Sequence, residues 1–104
     1  MDVGSIIQFR YDNEMIEGKI YNINGNYYDI VGLNERNVPL EMLTVKYDMK
    51  EGDIVSYKKQ NKVYEVYIIK IDQHSYSAYV KMLYRNIPNN LNDMIETDNY
   101  CVIL

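Results

Sequence analysis

The chain carries one histidine, His74, and one cysteine, Cys101. Acid–base or nucleophilic catalysis needs such a group held against a substrate, with a second group that orients it. His74 sits in the polar run Asp72-Gln73-His74-Ser75, and nothing in the sequence supplies that second group. A solvated turn histidine is therefore the expected role. Cys101 opens the tetrapeptide Cys101-Val102-Ile103-Leu104. This fits the C-a-a-X pattern of prenylation, in which a final Leu favours geranylgeranyl. The competing reading makes Tyr100-Cys101-Val102-Ile103 an apolar closing strand. No polybasic run precedes it, so the prenylation match is read as coincidental and no membrane partner is expected. A single cysteine excludes an internal disulfide and a cysteine-based zinc site. No Gly-rich phosphate loop, paired-carboxylate signature or metal-ligand spacing is visible. The expectation is a protein with no catalytic residue, metal or cofactor: not an enzyme.

Binding chemistry is better represented. Lys58, Lys59 and Lys62 cluster beside Tyr57 and Tyr64, and basic residues interleaved with aromatic rings can hold nucleic acid through phosphate contact and base stacking. The chain as a whole has a formal net charge of −4, however, whereas proteins that rely on phosphate attraction are usually basic. Residues 1–50 carry 5 basic and 8 acidic side chains, and residues 51–104 carry 6 and 7. Neither half is basic. The 12 tyrosines offer two other uses. Several rings around one point could cage a cation, and exposed tyrosines suit a protein-binding surface. The candidates are Tyr27, Tyr28, Tyr57, Tyr64 and Tyr76, with Tyr67 and Tyr79 beside them.

These side chains must be positioned by a chain that repeats itself. Gly4 to Tyr28 and Gly52 to Tyr76 align without a gap at an offset of 48, with identities at Gly4/Gly52, Ile6/Ile54, Asn13/Asn61, Glu17/Glu65, Ile20/Ile68, Ile23/Ile71 and Tyr28/Tyr76. Ile7/Val55, Phe9/Tyr57, Arg10/Lys58, Met15/Val63 and Asn24/Asp72 are conservative. Such self-similarity is the signature of an internal duplication. With only one alanine, at Ala78, and many Ile and Tyr residues, the composition favours strands over helices.

Period-2 alternation predicts a strand from Ile6 to Arg10, with Ile7 and Phe9 on one face. Asp12-Asn13 predicts a turn, and Met15 to Ile23 a second strand with Ile16, Gly18 and Ile20 on one face. Gly18, where the second copy has Val66, predicts a bend or a close backbone approach. Asn24-Gly25 is a strong hairpin signal; Asp72-Gln73 predicts a longer turn. Tyr27 to Val31 reads as a third strand and Gly32 to Asn37 as a loop or irregular hairpin. Pro39-Leu40-Glu41-Met42 follows as a helical turn, and Leu43 to Tyr47 as a closing strand. In the second copy Ser75 to Tyr84 is a long strand, Leu91 to Glu96 a helical turn capped by Asn90, and Tyr100 to Ile103 the closing strand.

The order of three meandering strands, a helical turn and a closing strand resembles SH3-like small barrels, in particular the KOW and Tudor-like members. The resemblance is carried by Gly4-Ser-Ile-Ile-Gln-Phe9, Gly52-Asp-Ile-Val-Ser-Tyr57 and Val38-Pro-Leu-Glu-Met-Leu43, and it covers most of the chain. It implies an all-β protein of two tandem barrels, 1–49 and 50–104, each with a short helical turn before its last strand. It also implies binding rather than catalysis. The composition is similar to that of small proteins from low-GC bacteria and their phages. The expected function is a non-enzymatic module, a phage- or mobile-element-encoded inhibitor or adaptor that binds another protein in the cytoplasm, as monomer or homodimer. The alternative is a KOW-like RNA- or DNA-binding module that uses the Lys58/Lys59/Lys62 hairpin.

Overall fold

The structure, a computed structural model, describes residues 1–44 and 48–97. The protein is all-β, and no α-helix occurs among the described residues. The strands are β1 (Ile6–Tyr11), β2 (Glu14–Asn24), β3 (Tyr27–Pro39), β4 (Leu43–Thr44), β5 (Ile54–Lys59), β6 (Lys62–Asp72), β7 (Ser77–Pro88) and β8 (Ile95–Thr97). They form one antiparallel sheet in the order β4-β5-β6-β7-β3-β2-β1-β8. By internal contacts the chain divides into two compact units: Met1–Leu33 with Tyr84–Leu104, and Asn34–Leu83. The sequence halves 1–49 and 50–104 divide it differently, since each unit draws strands from both halves. β3 begins in the first unit and ends in the second, and β7 does the reverse.

In the first unit, alternation buries Ile7 and Phe9 of β1, Ile20 of β2 and Ile30 of β3. Tyr84 packs edge-on against Phe9, with ring centroids 5.7 Å apart, and against Tyr11 at 5.0 Å. Gly18 pairs directly with Gly32. A Cβ on Gly18 would overlap Ile30 Cγ2, which is the close approach its glycine predicts. In the second unit Tyr57, Val66, Ile68, Ala78, Val80 and Met82 are buried. Directly paired residues share one side of a sheet, so Val66 opposite Met82 and Ile68 opposite Val80 form one core layer.

The two units repeat the same local bonds at the offset of 48. Gly4 N–H donates to the Ile20 carbonyl at 2.8 Å, as Gly52 N–H does to Ile68 at 2.9 Å. Asp2 N–H donates to Ser5 Oγ at 3.0 Å, as Lys50 N–H does to Asp53 Oδ2 at 3.0 Å. The register of β1 on β2 (Ile6 opposite Lys19) matches that of β5 on β6 (Ile54 opposite Tyr67), and both second strands carry a bulge, between Ile20 and Asn22 and between Ile68 and Lys70. The hairpin turns match too. Asp12 and Asn13 have φ of 52° and 65°, and Gln60 and Asn61 have 50° and 66°, the left-handed pair that a type I′ turn requires.

The structure agrees with the sequence reading at some of its turns and departs from it at others. The run Gly32 to Asn37 is strand, not loop, because its polar side chains point to solvent while its backbone continues β3 beside β7; Asn37 Nδ2 donates to Ser77 Oγ at 3.1 Å. The Asp72–Ser77 connection holds four residues against two in Asn24–Tyr27, as the weaker turn signal predicts. The offset therefore rises to 50 beyond it, and Tyr28 corresponds to Ala78 rather than to Tyr76. A 3-10 helix forms at Leu40–Met42, where Pro39 sets φ to −63° ahead of it. No helix forms at Leu91 to Glu96: Asn92 and Asp93 make a bend closed by Met94 N–H on the Leu91 carbonyl at 3.1 Å. Asn and Asp compete with helix by bonding locally in turns. The strand after that bend is β8, antiparallel to β1 from Thr97 opposite Ile6 to Ile95 opposite Gln8. The expected strand Tyr100 to Ile103 and the later part of Leu43 to Tyr47 lie outside the described residues.

Candidate functional site

The sequence-expected site residues do not form one cluster. Tyr27 and Tyr28 belong to the first unit, and Tyr57, Lys58, Lys59, Lys62, Tyr64 and Tyr76 to the second. Successive strand residues face opposite sides; Tyr28 is buried and Tyr27 exposed. Tyr57 and Tyr64 pair directly across β5 and β6, their ring centroids 6.1 Å apart. Tyr57 is buried on the core side and Tyr64 is half-buried, so Tyr57 is spent on packing and offers no open ring face for a base or a cation. Tyr76 stands at the end of the β6–β7 connection with φ of 50° and is 75% exposed. The structure does bring the lysines together. Lys59 pairs with Lys62 and Lys58 with Val63, so all three line the end of one hairpin, and all are exposed.

The side of the β5–β6–β7 sheet away from the core sets Tyr67 and Tyr79 beside two residues that sequence reading overlooks as site residues, Ile54 and Val63. Ile54 is directly opposite Tyr67, and Tyr67 directly opposite Lys81. Ile54 is 48% exposed, Tyr67 40% and Val63 65%. The signal for this face was present: Ile54, Ser56 and Lys58 alternate with the inward Val55 and Tyr57. A third row on the same side pairs Lys70 with Tyr79.

Charge follows the units rather than the halves. The first unit holds 8 acidic and 3 basic residues, a balance of −5, and the second holds 7 and 8, a balance of +1. His74 is exposed, and its backbone N–H donates to Asp72 Oδ1 at 3.0 Å. The same carboxylate accepts from Ser75 Oγ at 3.0 Å and Ser75 N–H at 3.3 Å. These bonds, the Ser75 hydroxyl first, lower the Asp72 pKa, with His74 N–H and the nearby Lys70 charge adding to the effect. Asp72 is thus the anchor of the turn that carries His74 and Tyr76.

Among the described residues no group of three or more His, Cys, Asp or Glu side chains is placed to hold a metal ion. No helix of the described residues is long and apolar enough to cross a membrane. Comparison with family models, curated proteins and solved structures found no match.

Proposed function

We propose that the chain is a pair of SH3-like small barrels related by internal duplication, and that it acts as a non-enzymatic module that binds another protein, as an inhibitor or adaptor. The barrel reading is supported by five strand segments in each unit and by the bonds repeated at an offset of 48. The protein-binding reading is carried by one observation: Ile54 and Tyr67 oppose each other on adjacent strands and both stay exposed. Aromatic and aliphatic side chains kept in water next to each other are the usual material of an interface centre.

The test is cross-linking and capture from nuclease-treated bacterial lysate, with wild type beside Ile54→Ser/Tyr67→Ser. One stoichiometric protein that the double variant loses supports the reading. Capture that is identical with both proteins removes it. A second reading, nucleic-acid binding, draws on the exposed trio Lys58, Lys59 and Lys62. It predicts affinity that falls steeply with salt and is lost when the trio becomes Glu. Against it stands the burial of Tyr57, which removes one of the two rings beside the lysines from stacking.

A further inference from the structure

On the outer side of the second unit, apolar and lysine side chains are direct cross-strand neighbours. Val63 is opposite Lys58, Tyr67 is opposite Lys81, and Tyr79 is opposite Lys70. Neighbours in such pairs have Cβ atoms about 4.5–5.5 Å apart, so Val63, Tyr67 and Tyr79 each have an ammonium group within reach, while Ile54 has Tyr67 as its direct neighbour. The carboxylates on this side are Glu65, in the row with Ser56 and Leu83, and Asp72 at the turn. The β5–β6 hairpin from Ile54 to Asp72 has 4 basic and 2 acidic residues, whereas the matching hairpin from Ile6 to Asn24 has 2 and 3. A basic, apolar-studded hairpin within a chain of net charge −4 is a local feature, not a consequence of composition.

Resting on the protein-binding reading above, we propose that this face docks an acidic segment of a partner protein in which carboxylates and apolar side chains alternate. Ile54, Val63 and Tyr67 receive the apolar side chains, and Lys58, Lys70 and Lys81 pair with the carboxylates. Complementary charge of this kind steers encounter and fixes register, while the apolar contacts supply the water-excluding centre. A phosphate backbone fits less well. It would leave Ile54 and Val63 uncovered, and it finds one exposed ring, Tyr67, with the half-buried Tyr79 beside it, where single-strand binders offer successive open rings for stacking.

The experiment is an amide NMR titration of the full chain with three probes. They are a ten-residue peptide alternating Glu with Ile, Val and Tyr; the same peptide with Lys for Glu; and a 20-nucleotide single-stranded DNA. The expected result is that the acidic peptide alone shifts the amides of residues 54–58, 63–67 and 79–81. Its affinity should weaken at least about tenfold in Lys58→Glu/Lys81→Glu, with the melting temperature of that variant checked against wild type. Equal binding of the lysine peptide, DNA binding at these amides without peptide binding, or no shift with any probe overturns the proposal. So does sedimentation showing that the chain self-associates through this face, with its own acidic first unit as the occupant. If lysate capture is lost in Ile54→Ser/Tyr67→Ser but kept in Lys58→Glu/Lys81→Glu, protein binding stands and the acidic occupant falls.

Discussion

Gly18 lies so close under Ile30 that a methyl group on its Cα would overlap Ile30 Cγ2 and stand 2.9 Å from the Val31 carbonyl oxygen. The equivalent position of the second unit is Val66, fully buried opposite Met82. The same place in the repeat therefore takes a branched side chain in one unit and forbids any in the other, because Ile30 fills the space from β3. Gly18→Ala should destabilise the protein by about 1–3 kcal/mol, as overpacking does, and Gly18→Val by more. Urea unfolding measures both. A Gly18→Val protein as stable as wild type would show that Ile30 yields freely.

Asp29 is buried, and its two oxygens have separate duties. One accepts the Asn86 backbone N–H at 2.9 Å and the other accepts Asn22 Nδ2 at 3.2 Å. Asn86 has φ of 56°, so the carboxylate holds a left-handed residue of β7 in place. Asp29→Ala leaves a donor without its partner, at a cost of about 1–3 kcal/mol. Asp29→Asn keeps an acceptor and should cost less. Thermal unfolding of the two variants gives the ranking, and an alanine variant that melts with wild type would remove the role.

The first 31 residues were legible because their signals are local. Alternation marks Ile7 and Phe9, Gly25 with φ of 58° marks the hairpin, and Gly18 marks a close approach. The part not legible depends on partners far along the chain. Asn34 to Asn37 has no alternation and reads as a loop. It is strand because β7, some 40 residues later, lies beside it. The segment Leu91 to Glu96 reads as a helical turn because Asn90 is a plausible cap, but Asn and Asp serve turns equally well. Of the candidate site, the lysine hairpin was readable from clustering alone. That Tyr57 and Ile54 face opposite sides follows from alternation, but how far each is covered depends on tertiary packing.

Gln60 occupies a left-handed turn position with φ of 50°, which a glutamine tolerates poorly and an asparagine well. Gln60→Asn should raise stability by about 0.5–1 kcal/mol through relief of local strain. The side chain is exposed, so no packing is lost. The change should appear as a higher urea midpoint with an unchanged slope; a lower midpoint would contradict it.

The Asp72 carboxylate is held below its ordinary pKa first by the Ser75 hydroxyl. Its folded pKa is depressed, so the linked stability is present above the ordinary aspartate range and is lost as pH falls through the lowered value. Ser75→Ala should move the Asp72 pKa back up toward the ordinary value, read by carbon NMR titration of its side-chain carboxyl. Because Asp72 sits in a surface turn and is only half-buried, solvent screens its interactions and the effect on global stability at neutral pH should be small. A titration curve for Asp72 that Ser75→Ala leaves in place would assign the shift to another group.

The division of the chain into units makes a prediction about cutting it. Unit one consists of Met1–Leu33 and Tyr84–Leu104, so a fragment 1–49 lacks the β7 segment and β8 that complete it. A fragment 50–104 lacks Asn34–Pro39 of β3, the 3-10 helix and β4, which belong to unit two. Both fragments lose backbone partners along exposed strand edges and bury too little apolar surface for so short a chain. Each alone should give the poorly dispersed amide spectrum of an unfolded chain. An equimolar mixture should regain dispersion, because it restores every strand of both units. A fragment 1–49 that folds by itself would mean that the repeat, and not the strand-sharing unit, is the folding entity.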